Sequence, residues 1–186
     1  MKKFIDESWL VLVMGVVFAG LLAGAENTFG PKIAQNKRAE LEEAVLAVVP
    51  NVARSESKPV GLTEVFKCFD EDDKLVGWAL PASGFGFQDK IHLVVGLSPD
   101  ALKITGLKVV DNKETPGLGN KIDDDEWSGQ YAGLDAAKEV KVVKTQREIE
   151  QNEIQAITGA TISSEAVTKI ANQIIAEMRP KLDELR

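Results

Sequence analysis

Residues that carry hydroxyl groups cluster near the end of the chain, in the stretch Thr158-Gly159-Ala160-Thr161-Ile162-Ser163-Ser164. The stretch separates a short apolar run at 154–157 from a long helical pattern. Gly159 frees the backbone for a turn, and Ser163 or Ser164 is expected to cap the helix that follows. Unpaired amides and the helix dipole make such a start a good phosphate site. The stretch therefore offers a hydroxyl nucleophile or attachment point beside an anion site, although plain helix capping accounts for the same residue types.

A second informative stretch is Asp111-Asn112-Lys113-Glu114-Thr115-Pro116-Gly117-Leu118-Gly119-Asn120. Pro116 fixes one backbone angle and Gly117 permits a positive φ, and this pair favours a type II turn. Gly119 leaves room for another group to press on the backbone. A rigid turn followed by a close-approach loop is predicted, and an ordinary surface loop is the alternative.

The elements that hold these two stretches are predicted to form an α+β domain. Strand-like runs at 65–69, 74–80, 91–97 and 102–110 predict an antiparallel sheet of about four strands. Residues 55–61 and 82–87 are predicted as loops, and residues 70–73 as an acidic turn. A short helix or loop is expected at 122–131, a further strand at 140–143, and a helix or loop at 146–152.

The C-terminal helix is predicted from Ser163 to Met178. Its apolar residues repeat at four-residue spacing: Ala166, Ile170, Ile174 and Met178. Pro180 is expected to kink or end this helix, because proline lacks the backbone N–H that a helix interior needs. Strands followed by helices, without regular βαβ alternation, indicate the α+β class.

The N-terminus begins with two lysines, Lys2 and Lys3, followed by an uncharged apolar stretch at 9–25. This stretch is near the lower length limit for a helix that spans a bilayer, and the lysines favour a cytoplasmic N-terminus. A signal peptide cleaved near Ala23-Gly24-Ala25 is the alternative. Either interpretation puts the folded domain outside the cytoplasmic membrane.

These observations predict four segments along the chain. A cytoplasmic N-terminus occupies 1–7, a transmembrane anchor 8–25, a connecting helix 26–50, and the folded domain 51–186. Pro31 suits the first turn of the connecting helix, and Pro50 ends it.

Composition excludes several classes of function. The formal net charge of −7 argues against nucleic-acid binding, which needs a basic surface. Cys68 is the single cysteine, so an intrachain disulfide is impossible and a cysteine-based metal centre is disfavoured. His92 is the single histidine, so a Ser-His-Asp site would have to use it as its base. We therefore expect no metal site and no catalytic residues, and any redox chemistry must be carried by a bound cofactor.

The sequence Thr-Gly-Ala-Thr that ends at Thr161 resembles the flavinylation motif of the periplasmic FMN-binding domains of the Rnf and Na+-translocating NADH:quinone reductase complexes. In that family the closing threonine carries FMN through a phosphoester bond, which a separate flavin transferase makes. Gln155 stands where the family pattern often has aspartate, a departure that bears on transferase recognition. The sequence Glu-Thr-Pro-Gly-Leu-Gly at 114–119 is similar to a second hallmark of the family, a loop that lies against the flavin.

The resemblance implies a set of cofactor-binding residues, with FMN attached covalently to Thr161. The other members are Thr158, Gly159, Ala160, Ile162, Ser163, Ser164, Glu114, Thr115, Leu118 and Gly119. The helix amides from Ile162 to Ser164 would hold the phosphate. The aromatic residues Trp78, Phe85, Phe87 and Trp127 are expected either in the core or as apolar walls of the flavin site.

Within this family the chain is most similar to the G subunit of the Rnf complex, since the C subunit of the quinone reductase shares the motifs but tends to be longer. The resemblance implies an electron-carrying subunit of a ferredoxin:NAD+ oxidoreductase that pumps ions, without complete activity alone. It also implies a single-pass inner-membrane protein with a periplasmic domain. Its partners would be the other membrane and redox subunits and a flavin transferase. An anchored flavin-binding module and a structural subunit without cofactor are the alternatives.

Overall fold

The computed structural model describes residues 2–61, 63–144 and 150–185. The chain divides into two units, Met1–Glu40 and Leu41–Arg186. The polar segment predicted at 146–152 falls largely outside the described residues, which resume at position 150.

The N-terminal element is one continuous helix, α1 (Lys2–Val48). Its part from Ser8 onward is long and apolar enough, by length and composition, to cross a membrane. Pro31 lies inside this helix and not at the first turn of a separate one, so that prediction is wrong. The helix gives up one backbone hydrogen bond at Pro31, because proline has no N–H to donate.

The described residues form a sheet of five strands: β1 (Arg54–Val60), β2 (Thr63–Phe69), β3 (Leu75–Phe85), β4 (Lys90–Leu97) and β5 (Ile104–Asp111). They follow one another in chain order and every neighbouring pair is antiparallel. The predicted antiparallel sheet is therefore confirmed. Two loop predictions are wrong, because β1 occupies most of 55–61 and β3 continues to Phe85.

Strand β1 is not apparent in the sequence because its residues are mostly polar. It reads Arg-Ser-Glu-Ser-Lys-Pro-Val, and its side chains are exposed or half-buried. It lies at the edge of the sheet, with β2 as its one neighbour. Pro59 is tolerated there, since an edge strand has one row of amides that need no partner within the sheet.

Besides three short 3-10 helices, the other elements in the described part of the chain are α2 (Asp125–Ser128), the parallel pair β6 (Lys141–Val143) and β7 (Glu153–Gln155), and α3 (Thr161–Leu182). Because α3 begins at Thr161, Ser163 and Ser164 lie inside its first turn and do not cap it. Pro180 lies within the helix, which ends at Leu182 and not at the proline. The predictions that a serine caps this helix and that Pro180 ends it are therefore wrong.

The main core lies between α3 and one face of the sheet. Buried residues of α3, among them Val167, Ile170 and Ile174, pack with buried residues of β3 and β4 such as Leu80 and Leu93. The helix passes close to β3, because a Cβ atom at Gly84 would lie 2.5 Å from Ile170 Cγ1. This packing fixes where the N-terminus of α3 meets the sheet.

The last residues of α1 cover the opposite face of the sheet. Val45 and Val48, together with Val49 directly after the helix, pack in a cluster that includes Cys68, and burial raises the pKa of Cys68 to about 12. The backbones approach closely here: a Cβ atom at Gly96 would lie 2.1 Å from the Val48 carbonyl oxygen. Thr105 Oγ1 donates a hydrogen bond of 2.6 Å to the same oxygen. The C-terminal end of α1 is thus part of the second unit.

Candidate functional site

A cleft of about 360 Å³ brings the two informative stretches together. It lies between the turn that follows β3, the loop that follows β5, and the start of α3. Its lining residues are Phe87, Glu114, Thr115, Leu118, Gly119, Gly159, Ala160, Thr161, Ile162 and Ser163. Of the residues predicted for the site, Thr158 and Ser164 are not in this lining: Thr158 is exposed, and Ser164 is buried beneath the helix start.

The loop after β5 forms the turn that its proline and glycine predict. Gly117 has a φ of 77°, and Leu118 N–H donates a 3.1 Å hydrogen bond to the Thr115 carbonyl oxygen. Asn120 Oδ1 accepts a hydrogen bond of 2.7 Å from Gly117 N–H. The loop is therefore held by its own residues, and Leu118 is left 47% exposed at the cleft.

The start of α3 supplies free amide groups beside Thr161. Gly159, with a φ of 83°, turns the chain into the helix, and the first helical hydrogen bond runs from Ser164 N–H to the Ala160 carbonyl oxygen at 3.0 Å. Among the described residues, no acceptor faces the N–H groups of 161–163. These three amides are therefore the ones able to hold an anion. The set begins one residue earlier than the predicted amides of 162–164, because Ser164 N–H already donates a hydrogen bond within the chain.

Ser164 ties the preceding segment to the helix. Its Oγ donates to the Ala160 carbonyl oxygen at 3.0 Å and accepts from Ile157 N–H at 3.1 Å. The side chain is fully buried. Ser164 thus positions the turn that carries Thr161 and does not contact the cleft itself.

Glu114 links all three parts of the cleft and is only 4% exposed. Its Oε1 accepts hydrogen bonds from the backbone N–H groups of Phe87 at 2.8 Å and Gln88 at 3.2 Å. Its Oε2 accepts a bond of 2.6 Å from Ser163 Oγ. These bonds hold the turn after β3 and the start of α3 against the loop that contains Glu114.

Gln155, the residue that departs from the family pattern, is held through its main chain. Its N–H donates a 2.8 Å bond to Gln130 Oε1, and its carbonyl oxygen accepts a 2.9 Å bond from Trp127 Nε1. Its side chain forms no hydrogen bond with the described residues. The residue type at this position therefore has little influence on the local fold.

The role of Gln130 is not predictable from the sequence, since nothing around it marks a contact with a residue 25 positions away.

Exposed apolar side chains surround the cleft. Phe87 is 61% exposed and Ile162 is 56% exposed, and both line it together with Leu118. Of the other aromatic candidates, Trp78 lies in the core and Trp127 is buried in an edge-to-face contact with Tyr131. Phe85 is exposed at the end of β3, outside the cleft lining. The cleft thus combines an apolar rim, a hydroxyl group and three amides, which suits a planar apolar ligand that carries a phosphate.

The comparisons with known proteins agree with this geometry. Residues 86–176, which include all ten lining residues, match the model of the FMN-binding domain family. The chain is 35% identical, over 80% of its length and 72% of the relative, to the G subunit of the Na(+)-translocating ferredoxin:NAD(+) oxidoreductase complex of Acetobacterium woodii. It is also 35% identical to the G subunit of the ion-translocating oxidoreductase complex of Methanosarcina acetivorans, with 84% of this chain and 85% of the relative covered.

The chain belongs to the family of Rnf-type G subunits. Its fold is also that of NqrC: the crystal structure from Shewanella oneidensis matches with a TM-score of 0.60 at 22% identity, covering 76% of this chain and 73% of that one. The predicted α+β architecture, a long N-terminal helix followed by an antiparallel sheet with flanking helices, is thereby confirmed.

Proposed function

We propose that this G-subunit homologue transfers electrons within an ion-translocating oxidoreductase complex, through an FMN bound in the cleft. The observation that carries the proposal is the meeting of the two motifs: Glu114 and Ser163, separated by 49 residues, share a hydrogen bond of 2.6 Å at the base of one cleft. FMN supplies the electron transfer that the side chains of this chain do not. Leu118, Ile162 and Phe87 would contact its ring, and the amides of 161–163 would hold its phosphate.

We further propose that the FMN is attached covalently through Thr161. This residue is half-buried at the first position of α3, with its side chain in the cleft lining. In the attachment step Thr161 Oγ attacks the flavin phosphorus of an activated flavin nucleotide. The hydroxyl group loses its proton, and the remainder of the nucleotide leaves. A separate flavin transferase would catalyse this step, as the resemblance to the FMN-binding domain family implies.

The proposed location is the inner membrane, with the folded domain on the periplasmic side. The span Ser8–Val48 contains the apolar stretch, and the large apolar side chains of that stretch are exposed from Trp9 onward. We retain the proposed division into a cytoplasmic N-terminus at 1–7, an anchor at 8–25, a connecting helix at 26–50 and a flavin domain at 51–186. The partners are the other membrane and redox subunits, so the isolated chain completes no reaction.

The experiment that tests attachment is flavin fluorescence on a denaturing gel. The full chain is produced with an active flavin transferase, beside the variants Thr161→Ala and Thr158→Ala. Thr158 is the matched control, because it carries a hydroxyl group in the same motif but is exposed outside the cleft lining. We expect a fluorescent band for the wild type and Thr158→Ala, and none for Thr161→Ala. A band that persists in Thr161→Ala refutes the assigned residue, and a dark wild type refutes covalent attachment.

Co-purification separates a complex subunit from a free-standing flavin-binding module. The full chain is extracted from native membranes with mild detergent and analysed by size-exclusion chromatography. Elution together with other redox subunits supports the proposal, whereas elution alone contradicts it. The C subunit of a quinone reductase is the less favoured identity, because the relative of that type from Vibrio vulnificus is 26% identical and only 43% of it is covered.

A further inference from the structure

The Glu114 carboxylate is buried and has no cationic partner among the described residues. It is 4% exposed, and its three contacts are all hydrogen-bond donors: two backbone amides and the Ser163 hydroxyl. Lysine and arginine side chains within the described ranges form no ion pair with it, and the adjacent Lys113 pairs with Asp89 at 3.1 Å. Within the described residues the carboxylate is therefore held by hydrogen-bond donors alone and not by an ion pair.

The surrounding backbone makes room for this carboxylate. A Cβ atom at Gly86 would lie 2.3 Å from Glu114 Oε1, and one at Gly119 would lie 3.0 Å from Oε2. These glycines belong to two different loops, each of which borders the cleft. A side chain at position 86 would clash with the carboxylate, and one at position 119 would crowd it together with Ser163, so this part of the cleft is shaped by Glu114.

We propose that Glu114 lowers the reduction potential of the cofactor in the cleft, an inference that rests on the proposed function. Reduction adds electrons, and thus negative charge, to the flavin. Glu114 lines the cleft together with Gly119 and Ser163, the two residues next to its Oε2 atom, so we expect a ligand that fills the cleft to lie near the carboxylate. Two like charges repel more strongly in a buried site than in water, because the local dielectric constant is lower. The Glu114 carboxylate therefore disfavours the reduced state of the flavin. Its role is to adjust the electrostatic environment of the cofactor, and it is not a catalytic residue.

A purely structural role predicts a different outcome, and Glu114→Gln separates the two. The glutamine carbonyl can still accept from the amides of Phe87 and Gln88, and its amide group can donate to Ser163 Oγ. All three contacts are retained while the charge is removed. The matched control is Glu126→Gln, which makes the same substitution at an exposed carboxylate outside the cleft lining.

The test is a spectroelectrochemical titration of the full, flavin-loaded chain in detergent. We expect flavin-loaded Glu114→Gln to have a midpoint potential shifted to more positive values, and Glu126→Gln to leave the potential near that of the wild type. An unshifted potential in flavin-loaded Glu114→Gln overturns the inference. A wild-type chain without any flavin would instead overturn the proposed function, so the two failures are distinguishable.

If Glu114→Gln does not load flavin, a second pair of variants tests whether the charge of Glu114 lowers the reduction potential. Gln88 is exposed, and its backbone N–H already donates to Glu114 Oε1. Gln88→Lys adds a cation near the buried carboxylate, whereas Gln88→Met has similar length without charge. A positive shift in Gln88→Lys relative to Gln88→Met supports the inference, and equal potentials overturn it.

Discussion

Replacement of Gly119 by alanine tests how closely the two motifs are packed. The new Cβ atom would lie 2.9 Å from both Glu114 Cβ and Ser163 Oγ. Carbon atoms prefer separations of about 3.5–4.0 Å, so the loop must open by roughly 0.6 Å or more between positions 114 and 119, and it must also shift away from Ser163 on the helix. Overpacking of this kind costs about 1–3 kcal/mol. Relief by rotation of Ser163 would break its bond to the buried carboxylate, at a cost of about 1–3 kcal/mol.

We therefore expect Gly119→Ala to lower the free energy of unfolding by about 2 kcal/mol, which corresponds to a fall of about 6 °C in Tm for a domain of this size. The assay is thermal unfolding of the full chain in detergent, with flavin fluorescence per mole of protein as the second readout. We expect both values to fall, since the displaced groups line the cleft.

Gly129→Ala provides the matched control for this prediction. Gly129 has helical backbone angles, with φ −60° and ψ −21°, and no atom lies within 4 Å of a Cβ built there. We expect its free energy of unfolding to remain within about 0.5 kcal/mol of the wild type. The packing argument is refuted if Gly119→Ala behaves like Gly129→Ala in both stability and flavin loading.

Three further predictions concern the fold and the departure from the family pattern. Gly96→Ala, which forces a Cβ atom to 2.1 Å from a helix carbonyl oxygen, should lower the free energy of unfolding by about 3 kcal/mol. Gly106→Ala, whose Cβ atom would lie 3.0 Å from its nearest neighbour, should lower it by less. A denaturant titration that shows the reverse order would contradict this prediction. Gln155→Asp should leave the free energy of unfolding within about 0.5 kcal/mol of the wild-type value and should increase flavin attachment when the transferase is limiting. A large loss of stability would show that the Gln155 side chain has a structural contact. Cys68, with its pKa raised to about 12 by burial, should react with a thiol reagent at pH 8 only as fast as the domain unfolds, and rapid labelling of the native chain would disprove this.

The sequence predicted the buried strands and the C-terminal helix well, because burial leaves a clear periodic or continuous apolar pattern. Strand β4 is buried on both faces from Leu93 to Leu97, which explains its unbroken apolar run. The turn at Gly117 was equally predictable, since few residues other than glycine adopt a positive φ. These are features that neighbouring residues determine locally.

Features that depend on distant contacts were not predictable. The bond between Glu114 and Ser163 joins residues 49 positions apart, and neither residue type indicates it. Ser164 was expected as a cap from its type alone, but its hydroxyl group bonds to Ala160 and Ile157, so the helix starts earlier, at Thr161. The sequence identified the motif, whereas tertiary packing decided which of its hydroxyl groups lines the cleft.

The composition of β1 has a consequence for how these domains behave at high concentration. An edge strand exposes unpaired amides and carbonyl groups that can pair with a strand of another molecule. Here the edge carries Arg54, Glu56 and Lys58 at alternate positions, followed directly by Pro59. Charged side chains and proline both oppose the addition of a foreign strand. The polarity that made β1 look like a loop in the sequence therefore protects the sheet against edge-to-edge aggregation between copies crowded on a membrane surface.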